Sequence, residues 1–538
     1  MISRLYTFFA CLLFSINLLS QTPVVEWLID DSLMIDFDID SEDNIVVLNK
    51  VINGYAISKY SEQGKLSYTF TDSLSMNDPK KIIIDHSDNY YILGNQRSYD
   101  TTISYYVGQG INKKYDFYHT SFTMVKYDES GTRLNKIEYP SSSSVAGINI
   151  NSLTFDTDNS LIVLANTLFG DTVKIGSYSI GWREMTYPSG RSDFNIKIDS
   201  SGNPLWLLIY SDYYFAPEKT VVDLNHHVIT VGSSRWSNPM LDGSRRIEIG
   251  NYGGADGIIV KYDASGDFIW AEHIGSTGYD KINDVSVNGK NQLSISMWFS
   301  DTLGKYQDYT IQSNGVYGPY DSKFIVSIDE NGQLLWSKPL AYNSPESGTD
   351  IQSSQMNNIL CFNFYDSLQY ADFKYISDDL QNIAIIKTDI TGNTVWSKIF
   401  HSTVYYHKAL TDHRENAYLL GFYHLDKIDR FPLKHEQGMF LCKLSNDNLI
   451  PAGNENATIE NHLTVYPNPT SSIVYIESEH IIRNAILRIY NINGQELAKW
   501  QISNQNFNID ISDYKNGLYF LQLVSNQGIM IRKILKQK

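Results

Sequence analysis

Short runs of alternating apolar and polar residues, separated by polar turns, recur along most of the chain. The stretch KYDASGDFIW (261–270) is typical, with an alternating strand, an acidic turn that Gly266 closes, and a returning strand that carries Trp270. Alternation with a period of two predicts half-buried strands. An Asp side chain bonds its own backbone in a tight turn and Gly supplies a positive φ, so the stretch predicts a β-hairpin.

Five other stretches repeat this hairpin pattern. They are KYSEQGKLSY (59–68), KYDESGTRLN (126–135), KIDSSGNPLW (197–206), SIDENGQLLW (327–336) and KTDITGNTVW (387–396). The turn glycines are Gly64, Gly131, Gly202, Gly266, Gly332 and Gly392, separated by 67, 71, 64, 66 and 60 residues. Four returning strands carry a Trp four residues after the glycine, at Trp206, Trp270, Trp336 and Trp396. The regular spacing predicts a repeat architecture, with each indole packed between neighbouring sheets.

A strongly apolar strand precedes each hairpin, and there is one more such strand than there are hairpins. The strands are NIVVL (44–48), NYYIL (89–93), SLIVL (160–164), HVITV (227–231), QLSIS (292–296), NILCF (358–362) and AYLLG (417–421). The last is followed by a degenerate copy, MFLCKLSNDN (439–448), without a returning strand. The segment VVEWLID (24–30) supplies that strand from the other end of the chain. We predict seven four-stranded sheets that close into a ring, because open sheet edges are a liability.

The apolar strand, the D-x-x-G turn and the Trp that follows resemble the SBBP family of bacterial seven-bladed β-propeller repeats. The resemblance covers about residues 22–450 and implies a fold rather than an activity. The second copy departs from the family pattern, with Asn135 at the Trp position.

Insertions of 17 to 29 residues separate the second and third strands of the predicted sheets two to seven, and they crowd one face of the ring. Long loops on a rigid scaffold commonly bind ligands, and aromatic rings offer faces for sugars or proteins. The candidate ligand-binding residues are Tyr106, Tyr118, Trp182, Trp236, Tyr309 and Tyr320. Alternatively, the insertions form extra hairpins whose aromatic side chains pack on one another.

The formal net charge is −17, and an acidic surface repels phosphate backbones, so no nucleic-acid partner is expected. Residues 463–538 differ from the rest, with eight Lys/Arg and five Asp/Glu. Only Cys11, Cys361 and Cys442 are present, which excludes a disulfide framework. The last two lie in apolar strands, where they are expected as buried thiols or as one bridge.

The sequence contains no distinctive catalytic constellation. Asp residues are many and Arg residues few, and no G-x-S-x-G, H-E-x-x-H or glycine-rich phosphate loop occurs. We therefore expect no catalytic residue, no metal ligand set and no cofactor. The exception is DFDIDSEDN (36–44), whose alternating carboxylates could bind calcium. The same alternation also fits a strand with one solvent-exposed face.

The first 20 residues carry one positive charge, Arg4, followed by the apolar run LYTFFACLLFSINLL and then Ser20. This order predicts a secretory signal peptide that is cut near Ser20. No later stretch approaches the ~18 apolar residues of a membrane-spanning helix. The mature chain is therefore expected to have no transmembrane segment.

A different β pattern begins after the polar stretch NENATIENH (454–462). Its alternating strands, joined by NING and YKNG turns, are typical of a small antiparallel sandwich. These residues resemble the type A C-terminal sorting domain of the type IX secretion system of Bacteroidetes. The matching motif residues are Pro467, Asn468, Pro469, Gly494, Gly517, Tyr519 and Lys533. The resemblance implies passage through the periplasm and recognition by the outer-membrane translocon; the alternative is a plain Ig-like module.

The predicted organisation is all-β: a signal peptide (1–20), a seven-bladed β-propeller (21–450), a linker (451–462) and an Ig-like β-sandwich sorting domain (463–538). We expect a binding module that is secreted or attached to the outer cell surface. Its expected partners are the type IX machinery, through residues 463–538, and a glycan or protein ligand. The alternatives are a secreted carbohydrate-active hydrolase and a protein-interaction scaffold.

Overall fold

A computed structural model gives an all-β chain, and the described residues contain no helix, hence none that could cross a membrane. The described residues are 21–537 except for 32, 74, 108–110, 141–147, 169–171, 182–190, 212–214, 235–248, 302, 313–321, 343–348, 366, 372, 377–381, 402–403, 425–426, 429–430, 452–462, 479–484, 492–495, 503–505 and 526–527. The predicted signal peptide lies outside them. Two compact units divide the chain, Pro23–Leu449 and a second that contains Ile450–Lys538.

Four-stranded antiparallel sheets, each a meander in chain order, make up most of the first unit. Strand β1 (Gln21–Asp30) comes first. The first sheet is β2 (Met34–Ile39), β3 (Ile45–Val51), β4 (Gly54–Tyr60) and β5 (Leu66–Asp72). The second is β6 (Asp78–Ile84), β7 (Tyr90–Val107), β8 (Ile111–Tyr127) and β9 (Arg133–Pro140). The third is β10 (Ile148–Phe155), β11 (Leu161–Leu168), β14 (Arg191–Ile198) and β15 (Pro204–Ser211), with the hairpin β12 (Thr172–Ile175) and β13 (Tyr178–Gly181) inserted.

The fourth and fifth meanders are each extended by a hairpin from the sheet that follows. The fourth is β16 (Ala216–Val222), β17 (Val228–Ser234), β18 (Asp256–Tyr262) and β19 (Phe268–Gly275). The fifth is β20 (Asp280–Val287), β21 (Leu293–Phe299), β24 (Ser322–Ile328) and β25 (Leu334–Tyr342). The hairpin β22 (Leu303–Tyr306) and β23 (Tyr309–Gln312) pairs with β19, and β28 (Ser367–Tyr370) with β29 (Phe373–Ile376) pairs with β25. Two insertions between second and third strands thus form extra hairpins that cover outer sheet edges.

The remaining strands of the first unit share one eight-stranded sheet. They are β26 (Asp350–Ser353), β27 (Asn357–Phe364), β30 (Asn382–Asp389), β31 (Thr394–His401), β32 (Val404–Thr411), β33 (Ala417–Tyr423) and β36 (Gly438–Pro451), with the hairpin β34 (Lys427–Ile428) and β35 (Phe431–Pro432) inserted. The order is β26-β27-β30-β31-β1-β36-β33-β32. As the sequence predicts, β1 pairs with β36.

Tight turns of one design occur at six first turns and at the six turns that contain the repeated glycine. In most of them an Asp or a similar residue accepts backbone N–H groups two and four residues later, as Asp199 does from Ser201 and Asn203. The residue three positions after the Asp has a positive φ, which is 61° at Asn159 in a first turn and 92° at Gly202 in a second turn. Gly takes the positive φ of the second turn without strain, and at turns such as Gly131 and Gly202 a Cβ would also collide with a side chain of the neighbouring sheet.

Charged side chains inside the meanders pair with one another. The Lys of the repeated hairpin points at the carboxylate of the first turn, as in Lys59–Asp40 (2.8 Å), Lys197–Asp156 (2.6 Å) and Lys261–Asp223 (2.7 Å). Because these groups are almost fully buried, removal of one partner would leave an uncompensated charge. These repeated Lys–Asp ion pairs therefore have a structural role within the meanders.

The first strands β2, β6, β10, β16, β20, β26 and β32 contact one another in this order, and β32 also contacts β2. Asn95 links the second and third sheets by donating to the carbonyl of Ile148 (3.1 Å) and accepting from its N–H (3.2 Å). Tyr406 N–H donates to Asn363 (3.1 Å) between β32 and β27. Polar contacts between first strands and their neighbours thus connect consecutive sheets of the chain.

The second unit contains two antiparallel sheets around a small apolar core. One sheet has the order β37-β38-β41 and the other β40-β39-β42-β43. The strands are β37 (Leu463–Tyr466), β38 (Ile473–Ser478), β39 (Ala485–Asn491), β40 (Glu496–Ile502), β41 (Asn506–Asp510), β42 (Gly517–Ser525) and β43 (Gly528–Lys536). The core joins both sheets through residues such as Ile476, Leu487 and Leu521.

Candidate functional site

Seven polar side chains occupy equivalent positions on the first strands, each four residues before the residue that opens the first turn. We call them the inner-strand cluster: Asp36, Lys81, Ser152, Lys219, Asp284, Asp350 and Lys408. In six of the strands a register shift lies directly before this position. A β-bulge changes the direction of the side chain that follows it, so the bulges of the first strands determine where the cluster side chains point.

Members of the cluster bridge each first strand to the next. Asp36 accepts the N–H of Ile82 (3.1 Å), and Asp284 accepts the N–H of Ile351 (3.0 Å). The hydroxyl of Ser152 donates to the carbonyl of Thr220 (3.0 Å). The partner lies one residue beyond the equivalent position in every case, so the contacts follow the repeat.

Two ion pairs also join neighbouring first strands. Lys408 Nζ lies 2.9 Å from Asp36 Oδ1 and donates to the carbonyl of Phe37 (2.6 Å). Lys219 Nζ lies 3.2 Å from Asp284 Oδ1. Burial would raise the pKa of Asp36, but Lys408 and Lys81 outweigh it and hold that pKa below its usual value.

Lys81 and Asp350 have no ion-pair partner among the described residues, and both side chains are half-buried. Burial, together with the charge of Asp284, raises the pKa of Asp350 to about 7. The carboxylate of Asp36 favours the ammonium form of Lys81, but burial and the positive charges of Lys408 and Lys219 outweigh it and lower the pKa of Lys81. One cation and one readily protonated carboxyl therefore remain without a direct partner.

The run 36–44 does not gather its carboxylates at one point. Asp36 faces the cluster, Asp38 accepts the N–H of Ile84 (2.8 Å), and Asp40 accepts within its turn and pairs with Lys59. Burial raises the pKa of Asp38 to about 6. These three carboxylates contact different neighbours, and Asp36 and Asp40 are buried, so the alternation does not mark a strand with one solvent-exposed face.

The aromatic candidates from the insertions fall in different places. Tyr309 lies on β23 and is half exposed. Tyr106 and Tyr118 belong to β7 and β8, where Tyr118 is in register with Tyr99. Trp182, Trp236 and Tyr320 lie outside the described residues.

Other insertion tyrosines are packing residues. Tyr306 and Tyr370 are fully buried and donate to the carbonyls of Gly332 (2.6 Å) and Gly392 (3.0 Å). The alternative predicted extra hairpins whose aromatic side chains pack on one another; the hairpins are present, but these two tyrosines pack on the meanders. Cys361 and Cys442 are buried and do not form a disulfide with each other.

The YPNP motif of the second unit is held against the last strand. Asn468 donates to the carbonyl of Lys533 (2.7 Å) and accepts the N–H of Leu535 (2.8 Å), and the peptide bonds before Pro467 and Pro469 are cis. Tyr519 donates to the carbonyl of Lys515 (2.7 Å), and Lys533 is exposed. Gly517 begins β42, while Gly494 lies outside the described residues. The motif and the basic end of the chain thus form one structural element.

The sequence analysis missed the inner-strand cluster. In the sequence, the cluster is visible only as a polar residue four positions before each first turn. Polar residues are expected at alternate positions of any half-buried strand, so this residue does not stand out. Three Lys, three Asp and one Ser at that position carry no recognisable motif. Only the meeting of the first strands reveals that they form a group.

Solved structures similar to this chain are distant in sequence. A protein of unknown function from Dyadobacter fermentans is 9% identical, covering 79% of this chain and 98% of the other with a TM-score of 0.35. Virginiamycin B lyase from Staphylococcus aureus is 11% identical, with coverages of 62% and 95% and a TM-score of 0.25. PorZ, a surface component of the type IX secretion system of Porphyromonas gingivalis, is 8% identical, with coverages of 96% and 100% and a TM-score of 0.14. Likenesses this weak support no argument about fold or function.

No curated protein matches the chain. Residues 464–537 match the family of secretion system C-terminal sorting domains. This match confirms the C-terminal sorting domain predicted from the sequence, and the matched residues fall within the second compact unit. The sorting domain directs interaction with the type IX secretion machinery, and the chain is therefore exported through that system to the cell surface or the exterior.

Proposed function

We propose that residues 21–450 form a seven-bladed β-propeller, followed by a linker (451–462) and an Ig-like sorting domain (463–538). The cyclic order of contacts among the first strands supports this, because a closed ring requires the last first strand, β32, to touch β2. The pairing of β1 with β36 supports it further, since it makes a fourth strand for the last meander. The predicted boundaries and the blade count are part of this proposal.

The exported propeller is a binding module whose ligand sits at the inner-strand cluster. The single observation that supports this site is that Lys81 and Asp350 have no ion-pair partner among the described residues. The other charged members of the inner-strand cluster form ion pairs with one another. Perturbed pKa values concentrate at functional sites. A half-buried ammonium group without a partner favours an anionic group, and a protonatable carboxyl favours hydroxyl groups. The ligand class that satisfies both is a glycan with a carboxylate-bearing sugar.

The insertion aromatics extend this site in the proposal. Tyr106, Tyr118, Trp182, Trp236, Tyr309 and Tyr320 are its candidate outer contacts. A sugar ring stacks on an aromatic face while its hydroxyl groups bond to polar side chains. The ring of Tyr309 is exposed, but its hairpin pairs with β19 at the outer edge of the fourth meander, so Tyr309 is a candidate contact only for a part of the ligand that extends away from the cluster.

A glycan array with the mature full-length chain tests this function. We expect binding to acidic glycans that falls at least tenfold in Lys81→Met and in Asp350→Asn. Lys290→Met is the matched control, because Lys290 is exposed in a first turn, away from the cluster. Unchanged binding in both cluster variants would remove the site from the proposal. Release of reducing ends from a bound glycan would instead favour the hydrolase, with Asp350 as its acid.

A further inference from the structure

Two buried carboxylates from neighbouring sheets meet at one turn. Asp256 is the first residue of β18, and Asp280 is the first residue of β20. The segments before them are held together by backbone hydrogen bonds, from Asp280 N–H to the carbonyl of Ala255 (2.6 Å) and from Gly254 N–H to that of Gly278 (2.8 Å). The two carboxylates are thus fixed by rigid backbone on both sides.

The position of Gly275 shows how close the carboxylates come. A Cβ on this residue would lie 2.4 Å from Asp256 Oδ1 and 2.9 Å from Asp280 Oδ2. No side chain fits there, so the two oxygens occupy the same small space beside the chain. Asp256 and Asp280 are 1% and 2% exposed, which keeps bulk water from screening their repulsion.

Hydrogen bonds satisfy only part of this charge. Asp256 Oδ2 accepts the N–H of Tyr252 (2.8 Å). Asp280 Oδ1 accepts the hydroxyl of Ser276 (2.6 Å) and the N–H of Ser300 (3.0 Å), and Asp280 Oδ2 accepts the N–H of Ser276. Asp256 Oδ1 has no hydrogen-bond partner among the described residues. The hydroxyl of Ser300 is likewise buried without a partner.

No cationic side chain compensates the pair. Neither Asp256 nor Asp280 has an ion pair in the described part of the chain. Burial raises the pKa of Asp280, and the nearby negative charge of Asp301 adds to this effect. Burial and the charge of Asp280 raise the pKa of Asp256 to about 6, so at neutral pH a proton does not neutralise it. Burial also lowers the pKa of the adjacent His273, which is then uncharged.

We propose that Asp256 and Asp280 bind a calcium ion. Oxygen donors alone favour a hard cation, whereas zinc prefers nitrogen and sulfur. Calcium sites of extracellular proteins commonly have Kd values of about 10⁻⁴–10⁻³ M. The ion joins the sheet of β18 to that of β20, and this site is independent of ligand binding at the inner-strand cluster.

Thermal melting of the mature full-length chain, first treated with chelator and then given 10 mM CaCl₂, tests the site. We expect calcium to raise the Tm by about 2–4 °C, and this rise to vanish in Asp256→Asn and in Asp280→Asn. Asp308→Asn is the matched control, because Asp308 is exposed on the nearby hairpin and its variant should keep the full rise.

Terbium luminescence provides a second readout. Tyr252 adjoins Asp256 through its own N–H, so its ring should sensitise a terbium ion bound in place of calcium. We expect Tyr252→Phe to lower the emission while the calcium-dependent rise in Tm persists. The proposal is overturned if calcium leaves the wild-type Tm unchanged, or if the rise persists in both Asp→Asn variants.

Discussion

The indole ring of Trp27 lies against Gly64, and its Nε1–H donates to the carbonyl of Glu62 (2.9 Å). Trp206 and Trp336 make the same contact with Gly266 and Gly392 and donate to carbonyls at the same offset. The N-terminal strand therefore uses the packing contact of the repeat, although no repeated hairpin precedes it. Its Trp fastens one end of the first unit to the first meander.

Removal of this indole should destabilise the first unit. Trp27→Ala is expected to lower the free energy of unfolding by about 2–4 kcal/mol, because it empties a half-buried aromatic site. Leu335→Ala is the control, since Leu335 is 44% exposed on an outer strand, and it should cost less than about 0.5 kcal/mol. Denaturant unfolding measures both. Equal effects of the two variants would contradict an anchoring role of Trp27.

The stability cost of replacing a turn glycine with Ala should depend on how close the neighbouring aromatic ring lies. A Cβ at Gly64 would lie 2.6 Å from the Trp27 ring, whereas at Gly332 it would lie 3.5 Å from Trp270. Both residues have a positive φ, so both Ala variants carry a backbone cost of about 1 kcal/mol. Gly64→Ala should cost about 1–3 kcal/mol more, because the ring must move. Thermal or denaturant melts compare the two; a smaller loss in Gly64→Ala than in Gly332→Ala would contradict the steric reason.

The buried pair Lys197–Asp156 should be more costly to break than an exposed pair. Lys197→Met leaves the carboxylate of Asp156 buried with one charged neighbour fewer, and we expect a loss of about 3–5 kcal/mol. Lys136→Met, which breaks the exposed pair with Glu138 (2.6 Å), should cost less than about 1 kcal/mol. The comparison uses equilibrium unfolding at neutral pH. Similar losses for the two would show that the repeated Lys is not structurally special.

Stability should depend on the protonation of Asp350. Its pKa is about 7 in the folded protein, above the ordinary value of 3.8, so the folded state binds more protons than the unfolded state between these values. Stability from this group is thus present at low pH and is lost as the pH rises toward 7. Asp350→Asn removes the effect, so its stability relative to wild type should improve by about 2.5 kcal/mol from pH 5 to pH 8. A pH-independent difference would mean that the carboxyl ionises normally.

Export should depend on Asn468. Asn468→Ala removes the two hydrogen bonds that hold the YPNP motif to the last strand, and we expect a reduced secreted fraction. Asn508→Ala is the control, because Asn508 is exposed on β41. Immunoblots of cells and medium measure the fraction. Equal export of both variants would indicate that the translocon reads other residues.

Local patterns in the sequence determined the strands, the turns and the sorting domain. Period-two alternation and the Asp–Gly turn chemistry act over a few residues, so they can be read without the fold. The sequence also predicted the pairing of β1 with β36. The last repeat lacks a returning strand, and the N-terminal segment is a strand that belongs to no hairpin of its own. The sorting domain could be predicted because each of its short motifs, such as YPNP at 466–469, is contiguous in sequence.

Only the tertiary structure decided which polar residues meet. Lys408 and Asp36 are separated by 372 residues, and the carboxylates of Asp256 and Asp280 come from different sheets. Their partners depend on how neighbouring sheets pack and on where bulges aim the side chains, which no short window of sequence encodes. The physical reason is that charge pairing inside a protein is set by three-dimensional distance and burial, whereas strands and turns are set by near neighbours along the chain.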